Sequence, residues 1–329
     1  FQRQHAYIAQ RIGPLPRQLP RPIDLRRDRF ASGQGRSRKN AVIMRIARGI
    51  PEADFPVLPA DQDDRKLGLE FEQIRYVQGD TDMVNYGHGT GGSRVSGLGG
   101  AALLGAAEKV IEKGRRIAAH NLEAAEVDIE FSAGRFAVAG TDRGLDMKEV
   151  AALAFQPAKL PPGMESGLNG FDTFKSPGPT FPNACHVSEV EIDPQTGVVT
   201  VLRYLAVDDV GTVMNPLLLK GQLHGGIVQG IAQILGERIV MDESGQVLTG
   251  AFMDYHMPRA DEYPSFEIES HIVPSPRNPL GIKGAGEAGT VGAVACLASA
   301  IHDALAPLGI SSIDFPATPE RIWQAVKAA

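Results

Sequence analysis

The chain has 329 residues, a formal net charge of −6 and only two cysteines, Cys185 and Cys296. That length suffices for one large domain or two ordinary ones, and the acidic balance argues against a nucleic-acid surface. Two distant cysteines exclude a disulfide scaffold and an all-cysteine zinc or iron–sulfur site within the chain. No apolar run reads as long enough to span a bilayer, no signal-peptide core follows Phe1, and the expected compartment is the cytoplasm. Because the first residue is not Met, a piece of a longer protein is expected.

Residues 1–65 are dense in Arg and Pro, as in Pro14-Leu15-Pro16-Arg17. They read as an extended arm with one helix-like run at residues 41–50. From Leu67 the texture changes. Residues 71–77 alternate as a strand that runs into Gln78-Gly79-Asp80-Thr81-Asp82. Next comes Gly89-Thr90-Gly91-Gly92-Ser93-Arg94, opening a long helical pattern over residues 97–124. A Gly/Thr/Ser loop before a helix offers backbone N–H groups and hydroxyls to an anion. It is not a Walker loop, because no Gly-Lys-Ser/Thr follows; a flexible capped loop is the plainer alternative. A hairpin over residues 127–139 and a short helix over 147–155 follow. Residues 156–182 are rich in Pro and Gly and mark a boundary or crossing loop.

The second half opens with a hairpin. Residues 186–192 and 198–207 are its strands and Asp193-Pro194-Gln195-Thr196-Gly197 its turn. A helix over residues 217–235 carries Gly221-Gln222-Leu223-His224-Gly225-Gly226 and Gln229-Gly230. Its glycines let another backbone or a flat ligand come close, and Gln222 and Gln229, seven apart, share a face. His224 has no neighbouring Cys or Glu in sequence and reads as a surface or core histidine rather than a metal ligand. A small hairpin at residues 239–248 and a strand at 266–272 lead to the last motif.

That motif is Gly284-Ala285-Gly286-Glu287-Ala288-Gly289, followed by an apolar run to Leu305 that reads as a helix. Glu287 is expected in the first helical turn, where the helix dipole favours its ionised form. An ionised carboxylate there could serve as a general base, or could simply compensate the dipole. The spacing also satisfies a dinucleotide fingerprint, with Asp314 as the ribose acid. That fingerprint needs a buried strand ahead of it, and Pro274, Pro276 and Pro279 leave little room for one.

Taken together, these motifs resemble the C-terminal part of the molybdopterin-binding large subunit of molybdenum hydroxylases. Those are the xanthine dehydrogenase, aldehyde oxidase and aerobic carbon monoxide dehydrogenase relatives. The residues that carry the resemblance are Gln78 to Asp82, Gly89 to Arg94, Asp209-Val210-Gly211 with Asn215-Pro216, Gly221 to Gly230, and Asn278 to Gly289. They run in the family's order over residues 67–329. The resemblance implies an α+β fold of two cofactor-binding lobes built from repeated strand–helix units, residues 66–182 and 183–329, after an atypical segment 1–65.

It also implies a molybdenum–molybdopterin cofactor, possible as a cytosine dinucleotide, with the metal held by the pterin dithiolene and by no protein ligand. Glu287 is then the general base in the insertion of water-derived oxygen at an electron-poor carbon of an aldehyde, an N-heterocycle or carbon monoxide. Gly89, Thr90, Gly91, Gly92, Ser93, Arg94 and Gln222 are implied cofactor contacts, and Lys283, Gly284, Ala285 and Gly286 line the site. The [2Fe–2S] centres and FAD are expected on partner subunits, and the N-terminal half of the large subunit on a partner polypeptide or the rest of a longer chain. The small-molecule substrate, with no nucleic acid and no membrane, completes the implied partners. The chain departs from the family at Gly33-Gln34-Gly35, which Arg36 follows where relatives carry His, and the spacing from there to Leu67 is about a helix too long. Two other classes stay open at this point: a non-catalytic cofactor-binding or subunit-interaction module, and a nicotinamide-binding enzyme.

Overall fold

A computed structural model describes residues 40–45, 66–69, 73–74 and 90–329. The expected strand at 71–77, the Gln78–Asp82 motif, Gly89 and the departure at Gly33–Arg36 lie outside the described residues, wholly or in large part. The fold is α+β and divides into two compact units. One comprises Ser37–Thr180 with Pro274–Ile282, the other Phe181–Val273 with Lys283–Ala329.

The first unit is built on helix α1, Val95–Leu122. Its apolar stripe, with Ala107, Val110, Ile111, Ile117 and Ala118 buried, follows the three-to-four spacing that puts residues on one helical face. Gly114 is part of that stripe for a packing reason. A Cβ there would stand 2.5 Å from the Phe136 ring, which closes the core from an antiparallel sheet. The sheet consists of β2 (Ile129–Ser132), β3 (Arg135–Val138) and β4 (Gly144–Asp146). Helix α2, Met147–Leu153, starts on a capping box. Asp146 Oδ1 accepts from the Glu149 amide at 2.7 Å, and the Asp146 amide donates to Glu149 Oε2 at 2.8 Å.

Two expectations are corrected in this unit. Asn40–Arg45, read as helix-like, is strand β1, and the Pro/Gly-rich stretch contains strand β5, Asn169–Phe174. The two pair antiparallel from Asn40↔Phe174 to Arg45↔Asn169. Each supplies the hydrogen-bond partner the other lacks, a long-range pairing that overrides weak local preference. Helix α1 packs on β5 closely enough that a Cβ at Gly170 would strike the Ala106 carbonyl.

The second unit is a three-stranded sheet ordered β6 (Asn183–Ile192), β7 (Val199–Asp209), β8 (Phe266–Ser270). β6 and β7 form the expected hairpin, with an irregularity between Glu189 and Val190, and β8 runs parallel to β7. Helices α3 (Pro216–Leu235) and α4 (Ala288–Leu305) complete the core, in which Tyr204, Ile227, Ile231, Leu297 and Ile301 are buried. A last helix, α5 (Pro319–Ala328), buries Ile322 in the same core. The expected hairpin at 239–248 reduces to one bridge, Met241↔Val247.

Contrary to the sequence reading, Ala288–Leu308 is long and apolar enough to cross a bilayer, with mean hydropathy 1.6. Ala293, Leu297, Ala300, Ile301 and Leu305 bury one face of it in the core of the unit, 28% of the apolar window in all. A core helix passes the same test of length and composition as a membrane span.

Candidate functional site

Close packing of α3 and α4 sets the geometry around Glu287. Cβ atoms at Gly226 and Gly230 would stand 3.0 Å from the Thr290 amide and 2.7 Å from the Ala293 side chain. One at Gly289 would stand 2.6 Å from the Leu223 carbonyl. Of the two uses open to these glycines, the structure shows helix-on-helix approach. Thr290 stitches the pair, its hydroxyl donating to the Gly226 carbonyl at 3.0 Å with Gln229 Oε1 at 3.1 Å.

Gln222, one face-repeat before Gln229, reaches the motif itself. Its Nε2 donates to the Gly286 carbonyl at 2.7 Å. Two site residues inferred from stretches 64 positions apart are thereby brought together, and both are exposed. An amide engaged by one N–H keeps a second N–H and an oxygen.

Glu287 is exposed and sits one residue earlier than expected. It is the N-cap of α4, with φ −119° and ψ 0°, rather than a member of the first turn. Its side chain makes no capping hydrogen bond to the helix. No strand leads into the motif among the described residues; the chain from Ser275 to Gly281 is a tight loop instead. Asn278, buried, fixes that loop by donating from Nδ2 to the Ile282 carbonyl at 2.8 Å and accepting from the Ile282 amide at 3.1 Å. The Ser275 amide donates to Gly281 O at 2.9 Å, and Gly281 has φ +69°. A dinucleotide-binding βαβ unit requires a strand at this place, so the fingerprint reading is overturned.

Lys283, at the head of the motif, turns its ammonium onto Asp209 Oδ2 at 2.5 Å. Both side chains are 11% exposed. Asp209 Oδ1 also accepts from the amides of Gly211 at 2.9 Å and Val273 at 3.1 Å. Burial alone pushes this carboxyl up, but the Lys283 ammonium and the two amides outweigh it and hold it below the ordinary carboxylate value. Asp209-Val210-Gly211 had only the resemblance to recommend it in sequence; the Lys283 contact gives it a physical role.

The neighbouring Asp208 belongs to a buried polar group that sequence reasoning missed. Its side chain is fully buried, 3.5 Å from Nε2 of His186, which is 2% exposed. His186 Nδ1 lies 2.7 Å from the Tyr204 hydroxyl. Burial raises the Tyr204 hydroxyl and pushes the Cys296 thiol up to about 11, so that Cys296 is an inert thiol at neutral pH. His224 packs edge-on to Phe266, and burial together with Lys220 lowers its pKa, which keeps it neutral.

Thr90, Gly91, Gly92, Ser93 and Arg94 lie in the first unit, ahead of α1. Thr90 to Gly92 are exposed, and a Cβ at Gly91 or Gly92 would meet nothing among the described residues within 4 Å. Arg94 is the N-cap of α1 with no capping side-chain bond, and the first turn carries no acidic residue. Ser93 adopts φ +53°, a conformation few non-glycine residues take. Open space, hydroxyls and an uncompensated helix N-terminus are the requirements of an anion cradle. Among the described residues no group of three or more His, Cys, Asp or Glu could hold a metal directly.

These features fit a protein that binds an organic, anionic cofactor through backbone and amide groups. The profile of the molybdopterin cofactor-binding domain matches residues 64–264, and the chain belongs to that family. It is 39% identical over 263 residues to the carbon monoxide dehydrogenase large chain of Hydrogenophaga pseudoflava, covering 80% of this chain and 32% of that one. It is 37% identical to the nicotine 6-hydroxylase large subunit of Paenarthrobacter nicotinovorans, over 79% of this chain and 32% of that one. A crystal structure of Cu,Mo-CO dehydrogenase in the carbon monoxide reduced state superposes with TM-score 0.77 and 34% identity. The match covers 89% of this chain and 38% of that chain. The chain thus spans about a third of the length of these relatives.

Proposed function

We propose that the chain is the molybdopterin-binding part of a molybdenum-dependent hydroxylase or dehydrogenase, with Glu287 as its general base. The observation that carries this reading is the Gln222–Gly286 hydrogen bond, which fixes the backbone beside an exposed, non-capping carboxylate in a molybdopterin-binding family member. When bound, such a cofactor supplies a Lewis-acidic, two-electron redox centre.

The chain's residues supply the rest. The Gly89 to Arg94 loop meets pyrophosphate or pterin oxygens with N–H groups, in the room left beside Gly91 and Gly92. The reading extends to a cytosine dinucleotide form of the cofactor. The remaining N–H and oxygen of Gln222 orient the cofactor's polar edge. Gly284, Ala285 and Gly286 line the site with backbone and little bulk, while Lys283 holds that backbone through Asp209. Glu287 takes the proton of a water-derived nucleophile that attacks an electron-poor carbon. The two lobes, residues 66–182 and 183–329, act together with the part of the large subunit that the relatives carry beyond this stretch. Iron–sulfur and FAD subunits carry the electrons away. Carbon monoxide and nicotine, named in the relatives, are the first substrates to try, with a simple aldehyde third.

The test is Glu287→Gln in the complex assembled with those subunits. Molybdenum content stays near the unsubstituted level, and dye-coupled turnover of carbon monoxide, nicotine or benzaldehyde falls by about 10²–10⁴-fold. Turnover within a few-fold of the original sinks the base assignment.

A further inference from the structure

The chain leaves the second unit at Val273 and re-enters it at Lys283. One carboxylate holds both points. Asp209 Oδ1 accepts from the Val273 amide and Oδ2 from the Lys283 ammonium, while the Lys283 amide donates to the Val210 carbonyl at 2.8 Å. Asp209 is itself fixed at the end of β7 by its bond to the Gly211 amide. The base of the excursion 274–282 is therefore closed on a strand end, four residues before Glu287.

The other side of Glu287 is braced from the same place. Side chains of successive strand residues point to opposite faces. Asp208 accordingly turns away from Asp209, to His186. The His186 ring fills the position that a Cβ of Gly292 would occupy on α4. Lys283 is thus held by Asp209, and Gly292 packs on His186, whose Nε2 lies 3.5 Å from Asp208 without a hydrogen bond between them.

We propose that Asp209 is a positioning residue for Glu287: through Lys283 and Val273 it fixes the backbone from which the carboxylate projects. This rests on the reading of Glu287 as the base. A largely buried ammonium is committed to a carboxylate that accepts from three donors, which holds a loop more stiffly than an exposed pair does. General-base catalysis depends steeply on placement, so a loosened backbone lowers turnover without changing how substrate is held.

Hydrogen exchange on the full 329-residue chain gives the first test. In Asp209→Asn and Lys283→Met, amides of residues 283–287 exchange about tenfold faster or more, while those of the β2–β4 sheet are unchanged. Lys283→Arg, which keeps the ion pair, exchanges like the original. Unchanged protection at 283–287 in both disrupting variants overturns the proposal. So does unfolding of the β2–β4 sheet along with the loop, because the aspartate is then a general stability element.

The second test is a cycle in the assembled enzyme, with carbon monoxide or nicotine. Asp209→Asn lowers kcat about tenfold at unchanged KM, and adding it to Glu287→Gln lowers kcat no further. Losses that multiply in the double variant overturn the proposal. Activity that survives Glu287→Gln refutes the base assignment instead, and the exchange result then still decides whether the clamp exists.

Discussion

Two glycine-rich stretches precede long helices in this molecule, and they use glycine for opposite purposes. Gly91 and Gly92, ahead of α1, have no atom of the described residues within reach of an added Cβ. A Cβ on Gly289, at the start of α4, would stand 2.6 Å from the Leu223 carbonyl of α3, where Gly226 faces it, while Gly230 faces Ala293. The first stretch leaves its glycines clear of the described residues, which is what the proposed cofactor contact needs. The second spends its glycines on helix contact, so that Glu287 and Gln222 meet through Gly286 at fixed positions. Glycine count alone does not separate ligand space from packing; the neighbours of the missing Cβ do.

Substitutions can break this comparison. Glu287→Gln carries the largest expected effect, the loss of turnover described above. Gly289→Ala comes next. The added methyl meets backbone on α3, not a movable side chain, and α3 and α4 must separate. The expected cost is about 1–3 kcal/mol, read as a lowered denaturation midpoint. A midpoint equal to the original means the helices are not in contact through Gly289.

Acid sensitivity comes third. The folded-state pKa of Asp209 lies below its ordinary value of 3.8, so its contribution is complete above that value and is lost as pH falls through the folded pKa. Stability of the second unit should therefore fall below about pH 4, and Asp209→Asn should flatten that fall. An identical acid limb in the variant removes Asp209 from the account. Gly91→Ala is the smallest in stability terms, within about 0.5 kcal/mol, because nothing stands in the way. Its expected cost is instead in bound molybdenum per chain. A variant with full molybdenum occupancy shows that the space beside Gly91 is not used.

Much of this was legible in the sequence because it is local. Helices α1, α3 and α4 announce themselves by apolar spacing, and the β6–β7 hairpin by its Asp193–Gly197 turn. Motif order alone led to the family. The pairing of Asn40–Arg45 with Asn169–Phe174 was not legible, since neither strand has a partner nearby in sequence. The same holds for the Asp209–Lys283 clamp, whose ends are 74 residues apart. Lys283 was placed at the site by the resemblance alone, and nothing in its own stretch shows that its ammonium goes to Asp209. The small hairpin at 239–248 was over-read for the converse reason: its turn, with Asp242 Oδ1 accepting from Ser244 and Gln246, forms without a ladder behind it.

We propose that the chain binds a molybdopterin cofactor, with the glycine loop and the Glu287 segment each a candidate contact. Metal and pterin analysis tests it most directly, on the chain made in a cofactor-producing host together with the remaining part of the large subunit and the iron–sulfur and FAD subunits. The account predicts about one molybdenum and one pterin per chain, with occupancy lost in Gly91→Leu and kept in Glu287→Gln. A complex that assembles without molybdenum or pterin contradicts it, and Glu287 then reverts to an ordinary exposed carboxylate at a helix start.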